Sequence, residues 1–134
     1  MRTATLSPFE NNLALAWLWV VLGFATGLVL GLNFHREDWL GGYGSFPRRL
    51  CRLGHISFFG LGVVNLMFYV TTVMLGTKGT SLDLASRGFI IGAIAMPLCC
   101  FATAFFPKLR PLFLIPVLSL TAGAVATFWE IIKI

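Results

Sequence analysis

The sequence predicts an all-α integral membrane protein, a bundle of four transmembrane helices with both termini on the same side. Three observations lead there. Of the 134 residues, 57% are hydrophobic and 11% charged, against roughly a quarter charged in soluble domains, and the mean hydropathy is +0.87. The apolar residues gather into four runs, 13–34, 56–76, 88–106 and 111–132, each within the roughly 17–25 residues that carry a helix across hydrocarbon. None of these runs alternates apolar with polar residues, as a barrel strand must.

The first helix is expected over 13–34. The polar residues before it, its length and the lack of an A-x-A site after it mark a retained span rather than a cleaved signal peptide. A glycine-rich turn, Trp39-Leu-Gly-Gly-Tyr-Gly-Ser45, follows. Ser45-Phe46-Pro47 then reads as a helix start, because serine caps well and proline suits the first turn. The second helix is therefore expected over 47–76. The third is expected over 86–106, capped by Ser81 or Asp83 after the polar stretch Thr77–Ser86. Pro97 should bend it, since the ring clashes with the carbonyl of Ala93. Pro107-Lys-Leu-Arg-Pro111 is a tight hairpin leading into the fourth helix, 111–132. The whole chain, 1–134, reads as one transmembrane domain with no soluble domain.

Close packing is foreshadowed by small residues, because apolar side chains gain little by leaving lipid for protein. Gly23, Gly27 and Gly31 form a stripe on helix one. Gly88 and Gly92 repeat the spacing on helix three, and Ser119, Gly123 and Thr127 on helix four. Asn65, the one amide in the middle of a span, is expected to hydrogen-bond to a neighbouring helix. Cys51, Cys99 and Cys100 read as free thiols, since two are adjacent inside one helix.

The net charge is +5, which in such a chain points to anionic lipid headgroups and to topology rather than nucleic acid. Arg36, Arg48, Arg49, Arg52, Lys108 and Arg110 share one side; Arg2, Lys78, Arg87 and Lys133 share the other. The larger set places the 34–55 connection in the cytoplasm of a bacterial inner membrane, with both termini outside. Trp17, Trp19 and Trp129 would form the outer aromatic belt, and Trp39 and Tyr43 the inner one. Arg87 and Glu130 lie nearly equal distances from Leu109, the centre of the hairpin, and so are expected to pair across helices three and four.

Several functions lack their residues. No carboxylate sits mid-bundle for proton coupling, and HExxH, GxSxG, CxxC and phosphate-loop motifs are absent. The expectation is a structural or accessory subunit without catalytic activity, packed against a larger membrane complex or its own copies. The alternative is an electron-transfer subunit holding haem b between helices one and two. His35 and His55 would then be its axial metal ligands, and Arg48 and Arg52 would pair with its propionates.

Overall fold

The computed structural model describes residues 8–76 and 78–134; Arg2, counted above, lies outside them. Four helices follow in order: α1 (Pro8–Asn33), α2 (Phe46–Leu75), α3 (Thr80–Phe105) and α4 (Leu114–Ile132). With the 3₁₀ turn that leads into α4, all four are long and apolar enough to cross a membrane. The chain is an all-α four-helix bundle. The connections 34–45 and 106–113 lie at one end, the basic end, and the end of α2, the start of α3 and the C-terminus at the other.

The bundle is not symmetric. α3 packs against α1, α2 and α4, whereas α4 rests chiefly on α3. Half of the most apolar stretch of α3 is buried (50%), but only 11% of that of α4. Small residues make the α3–α4 contact. A Cβ on Gly88 would stand 2.6 Å from the Ser119 carbonyl oxygen, and one on Gly123 would stand 3.1 Å from the Ala85 carbonyl oxygen. A Cβ on Gly92 would run into the Leu120 side chain. The hydroxyls of Ser119 and Thr127 donate within their own helix, to Ile115 O (2.6 Å) and Gly123 O (2.8 Å). Ser119 serves the seam by being small, its carbonyl lying against Gly88, whereas Thr127 lines a groove between α4 and α2.

Two helices begin earlier than hydropathy indicates. α1 includes Glu10, Asn11 and Asn12, and α3 starts at Thr80 with Gly79 at its N-cap and no side-chain cap. Ser81 and Asp83 therefore sit inside the first turn of α3 and do not precede it. The reason is tertiary. Asn12 is fully buried, donating to Asn65 Oδ1 (2.7 Å) and to the Ser86 carbonyl (3.4 Å), while Ser86 Oγ donates to Asn12 Oδ1. Asn65 spends its own amide hydrogens on the carbonyls of Leu61 (2.9 Å) and Phe89 (3.4 Å). The expected interhelical bond of Asn65 is present, and it belongs to a satisfied polar junction of α1, α2 and α3. In hydrocarbon no water competes for these groups, so the junction fixes the depth at which the three helices meet.

A second junction repairs the effect of Pro97. Lacking an N–H, Pro97 leaves the Ala93 carbonyl without its helical donor. The indole Nε1 of Trp19 donates to that carbonyl at 3.0 Å. Trp19 is only 7% exposed and packs on Phe58 and Ala93, so it leaves the outer aromatic belt assigned to it from sequence. Trp17 and Trp129 remain exposed.

The turn between α3 and α4 also differs from expectation. The chain reverses at Phe106, and residues Pro107–Phe113 already run back as a 3₁₀ helix beside α3, where Cys99 Sγ lies 3.6 Å from the Leu112 carbonyl. The centre of the hairpin is therefore near Phe106, not Leu109. That shift puts Ser81, not Arg87, beside Glu130. Glu130 pairs with Lys133 (3.0 Å) and is hydrogen-bonded by Ser81, while Arg87 is exposed. The Arg87–Glu130 pair does not form.

Candidate functional site at the basic end

α1 stops at Asn33, and the connection back to α2 is closely held. Trp39–Gly41 form a 3₁₀ turn capped by Gly42, and Leu40, Gly41 and Gly42 take positive φ values of 53°, 84° and 97°. Left-handed backbone is costly for leucine. Here the Leu40 side chain is anchored beside Leu30, Cys51 and Ala104. Ser45 joins turn to helix: its hydroxyl donates to Leu40 O (2.7 Å) and accepts from the Arg48 amide (3.3 Å), the cap the sequence indicates.

Arg48 is the centre of this connection. Although charged, it is only 2% exposed. Its Nη1 donates to Arg36 O and its Nη2 to Phe34 O, both at 3.3 Å. Its guanidinium carbon lies 5.6 Å from the ring centre of Phe34 and 5.5 Å from those of Trp39 and Tyr43. Carbonyl dipoles and ring faces thus replace water around a buried cation. Its Nε has no hydrogen-bond partner. Arg52 stacks on the same Tyr43 ring at 4.1 Å and donates from Nη1 to Tyr43 O at 2.8 Å. Arg110, from the 107–113 turn, lies 5.1 Å from the ring centre of Phe46.

The glycine stripe of α1 receives rings, not backbone. A Cβ on Gly23 would stand 2.7 Å from the Phe59 ring, and one on Gly27 would stand 2.9 Å from the His55 ring. At Gly31 there is nothing within 4 Å. Thr26 Oγ1 lies 3.1 Å from His55 Nδ1 and 2.8 Å from Leu22 O. Phe59 meets the imidazole edge-on at 5.5 Å. Thr26 and Phe59 thereby hold the His55 ring in one orientation.

His35 does not meet it. α1 ends two residues earlier, so the stripe does not continue onto His35, which is exposed in the turn. Gly31 is already about 6 Å nearer the basic end than Gly27, where His55 sits, and His35 lies beyond Gly31. The two imidazoles stand at different depths and cannot face each other across one iron. Arg48 is occupied by main-chain carbonyls and rings and is not free for a propionate. The fold therefore does not bring His35 and His55 together as a pair. Among the described residues, no three His, Cys, Asp or Glu side chains cluster to hold a metal ion. Cys51, Cys99 and Cys100 are free thiols, and all three are buried.

Sequence reasoning missed Arg48 as a buried residue and Asn12 as the partner of Asn65. The signal for Arg48 was present in the three aromatic residues of the preceding connection, Phe34, Trp39 and Tyr43. No protein family, curated protein or solved structure matches this chain.

Proposed function

We propose that the protein is a small accessory subunit that packs against a larger membrane complex. The observation that carries the reading is the loosely attached α4. It leaves a groove of about 270 Å³ against α2, lined by Val64, Met67, Thr71, Ala124, Thr127 and Phe128 among others. Bulky side chains at Leu118, Val125, Phe128 and Trp129 point away from the chain's own core. The buried polar groups of the α1–α2–α3 junction are satisfied by one another and offer no chemistry. A partner helix laid along α4 would give that helix the second neighbour it lacks. In membranes extracted with mild detergent, the chain should migrate in a complex well above its own 14.7 kDa. Thr127→Trp, which fills the groove, should release it. Migration as a lone chain, or only with its own copies, would overturn the subunit reading.

A second reading has the placement of His55 in its favour, its ring held against Gly27 by Thr26 and Phe59: this chain would offer a single axial ligand to a haem b shared with a partner. The same preparation tests it. Dithionite should produce a b-type α band that His55→Ala abolishes and His35→Ala spares. A colourless complex from haem-replete cells removes this reading and leaves the first standing.

The basic end is assigned to the cytoplasm of a bacterial inner membrane by its excess of lysine and arginine. Cys51 is a poor reporter of side, being 4% exposed beneath Leu30 and Ala104. Lys108 is exposed at that end. A membrane-impermeant thiol reagent should label Lys108→Cys only after the cells are opened, and labelling of intact cells would reverse the orientation.

A further inference from the structure

We infer that the basic end carries a binding site for the phosphate of an anionic phospholipid, formed by Arg49, Arg52 and Arg110 around the first turns of α2. The residues form an arc. Arg110 sits on the Phe46 ring. Arg49 follows Phe46 by three positions and precedes Arg52 by three, so each is a neighbour of the next on the helix surface. Arg52 closes the arc on the exposed Tyr43 ring, whose other contact is Arg48.

Among the described residues no ion pair neutralises this charge. The first turn of α2 holds no acidic residue, and a helix N-terminus already carries partial positive charge. Glu37 and Asp38 lie in the adjoining connection, yet among the described residues none of Arg36, Arg48, Arg49, Arg52 and Arg110 is ion-paired. The buried Arg48 and the exposed Lys108 add further positive charge to the same end. Among the described residues the Arg52 side chain has one hydrogen bond, to Tyr43 O, and those of Arg49 and Arg110 have none. These guanidinium forks are thus free to take phosphate oxygens in the paired geometry they favour. The ligand should also have an apolar part. Phe34, Tyr43 and Phe106 are 48%, 67% and 66% exposed at this end, as rings at a headgroup–acyl boundary are. A phosphodiester attached to acyl chains meets both requirements; free phosphate meets only the first.

The test is lipid retention by the full chain in neutral detergent, measured by native mass spectrometry and by thermal shift. Phosphatidylglycerol should bind and raise the melting temperature; phosphatidylcholine should do neither. Each of Arg49→Gln, Arg52→Gln and Arg110→Gln should weaken retention about fivefold, and all three together roughly a hundredfold, from about one unit of surface attraction per arginine. These side chains are at the surface, so the triple variant should keep its own melting temperature without lipid. Equal retention of phosphatidylcholine, or undiminished retention by a folded triple variant, overturns the site. A full thermal shift from inorganic phosphate alone overturns the lipid assignment. The outcome is independent of whether the chain is an accessory subunit.

Discussion

Gly88→Leu should separate α4 from the rest of the protein. A Cβ at Gly88 meets main chain: the Ser119 carbonyl oxygen at 2.6 Å and the Gly123 backbone at 3.3 Å. Main chain cannot rotate aside as a side chain can, so the larger residue pushes the helices apart along the chief attachment of α4. Overpacking typically costs about 1–3 kcal/mol, and this site belongs at or above the upper end. Thermal unfolding in detergent should move down accordingly, and any complex formed through α4 should be lost with it. Gly31→Leu and Gly60→Leu are the matched controls, because a Cβ there has nothing within 4 Å. Comparable losses in all three variants would show that glycine flexibility, not the α3–α4 contact, is what matters.

Arg48→Ala should unlock the connection between α1 and α2. It removes donors from the carbonyls of Phe34 and Arg36 and takes a cation from between Phe34, Trp39 and Tyr43. Part of that loss is offset, since an unpaired buried charge no longer has to be kept from water. A net cost of about 2 kcal/mol follows from one charge-assisted hydrogen bond and the ring contacts, or roughly thirtyfold in local opening. Hydrogen exchange at the amides of Trp39, Gly41, Gly42 and Ser45, which bond within this turn, should accelerate by that order. Arg48→Lys should recover little, because one ammonium cannot reach two carbonyls and three rings at once. Unchanged exchange in Arg48→Ala would mean that Leu40 and Ser45 hold the turn without Arg48, and unchanged exchange in Arg48→Lys that an ammonium suffices.

The stretches read correctly from sequence were those decided by solvent alone. A run of some twenty apolar residues has one low-energy disposition in a bilayer, which is why four spans and their order were legible. Ser45 and Pro47 marked the start of α2 because a cap and a first-turn proline act within a few residues of chain. Pro97 marked a broken hydrogen bond for the same reason. Asn65 was legible as a bonded residue, since an amide in hydrocarbon must find a partner. Which partner it finds was not, because Asn12 is 53 positions away and lies outside the apolar run.

Tertiary structure decided the rest wherever a residue's environment depends on what lies across from it. Hydropathy sets Asn12 and Ser86 outside the apolar runs; their mutual hydrogen bonds bury them. Trp19 has the composition of a belt residue, but the carbonyl freed by Pro97 draws it inside. Arg48 and Arg52 are alike as letters in a basic loop. One is buried among main-chain carbonyls and three rings and the other is not, and only the path of residues 34–45 separates them. His35 shares a four-residue spacing with the glycine stripe, but α1 ends at Asn33 and periodicity has no meaning past a helix end. The register of α3 on α4 followed the turn at Phe106, because a 3₁₀ segment after Pro107 doubles back before the next α-helix begins. From sequence alone came the solvent, the four spans and the excess of charge at one end. The contacts among helices decided which polar groups are spent on one another and which arginines remain to meet something outside the chain, since a buried polar group must be matched by whatever atom stands opposite it.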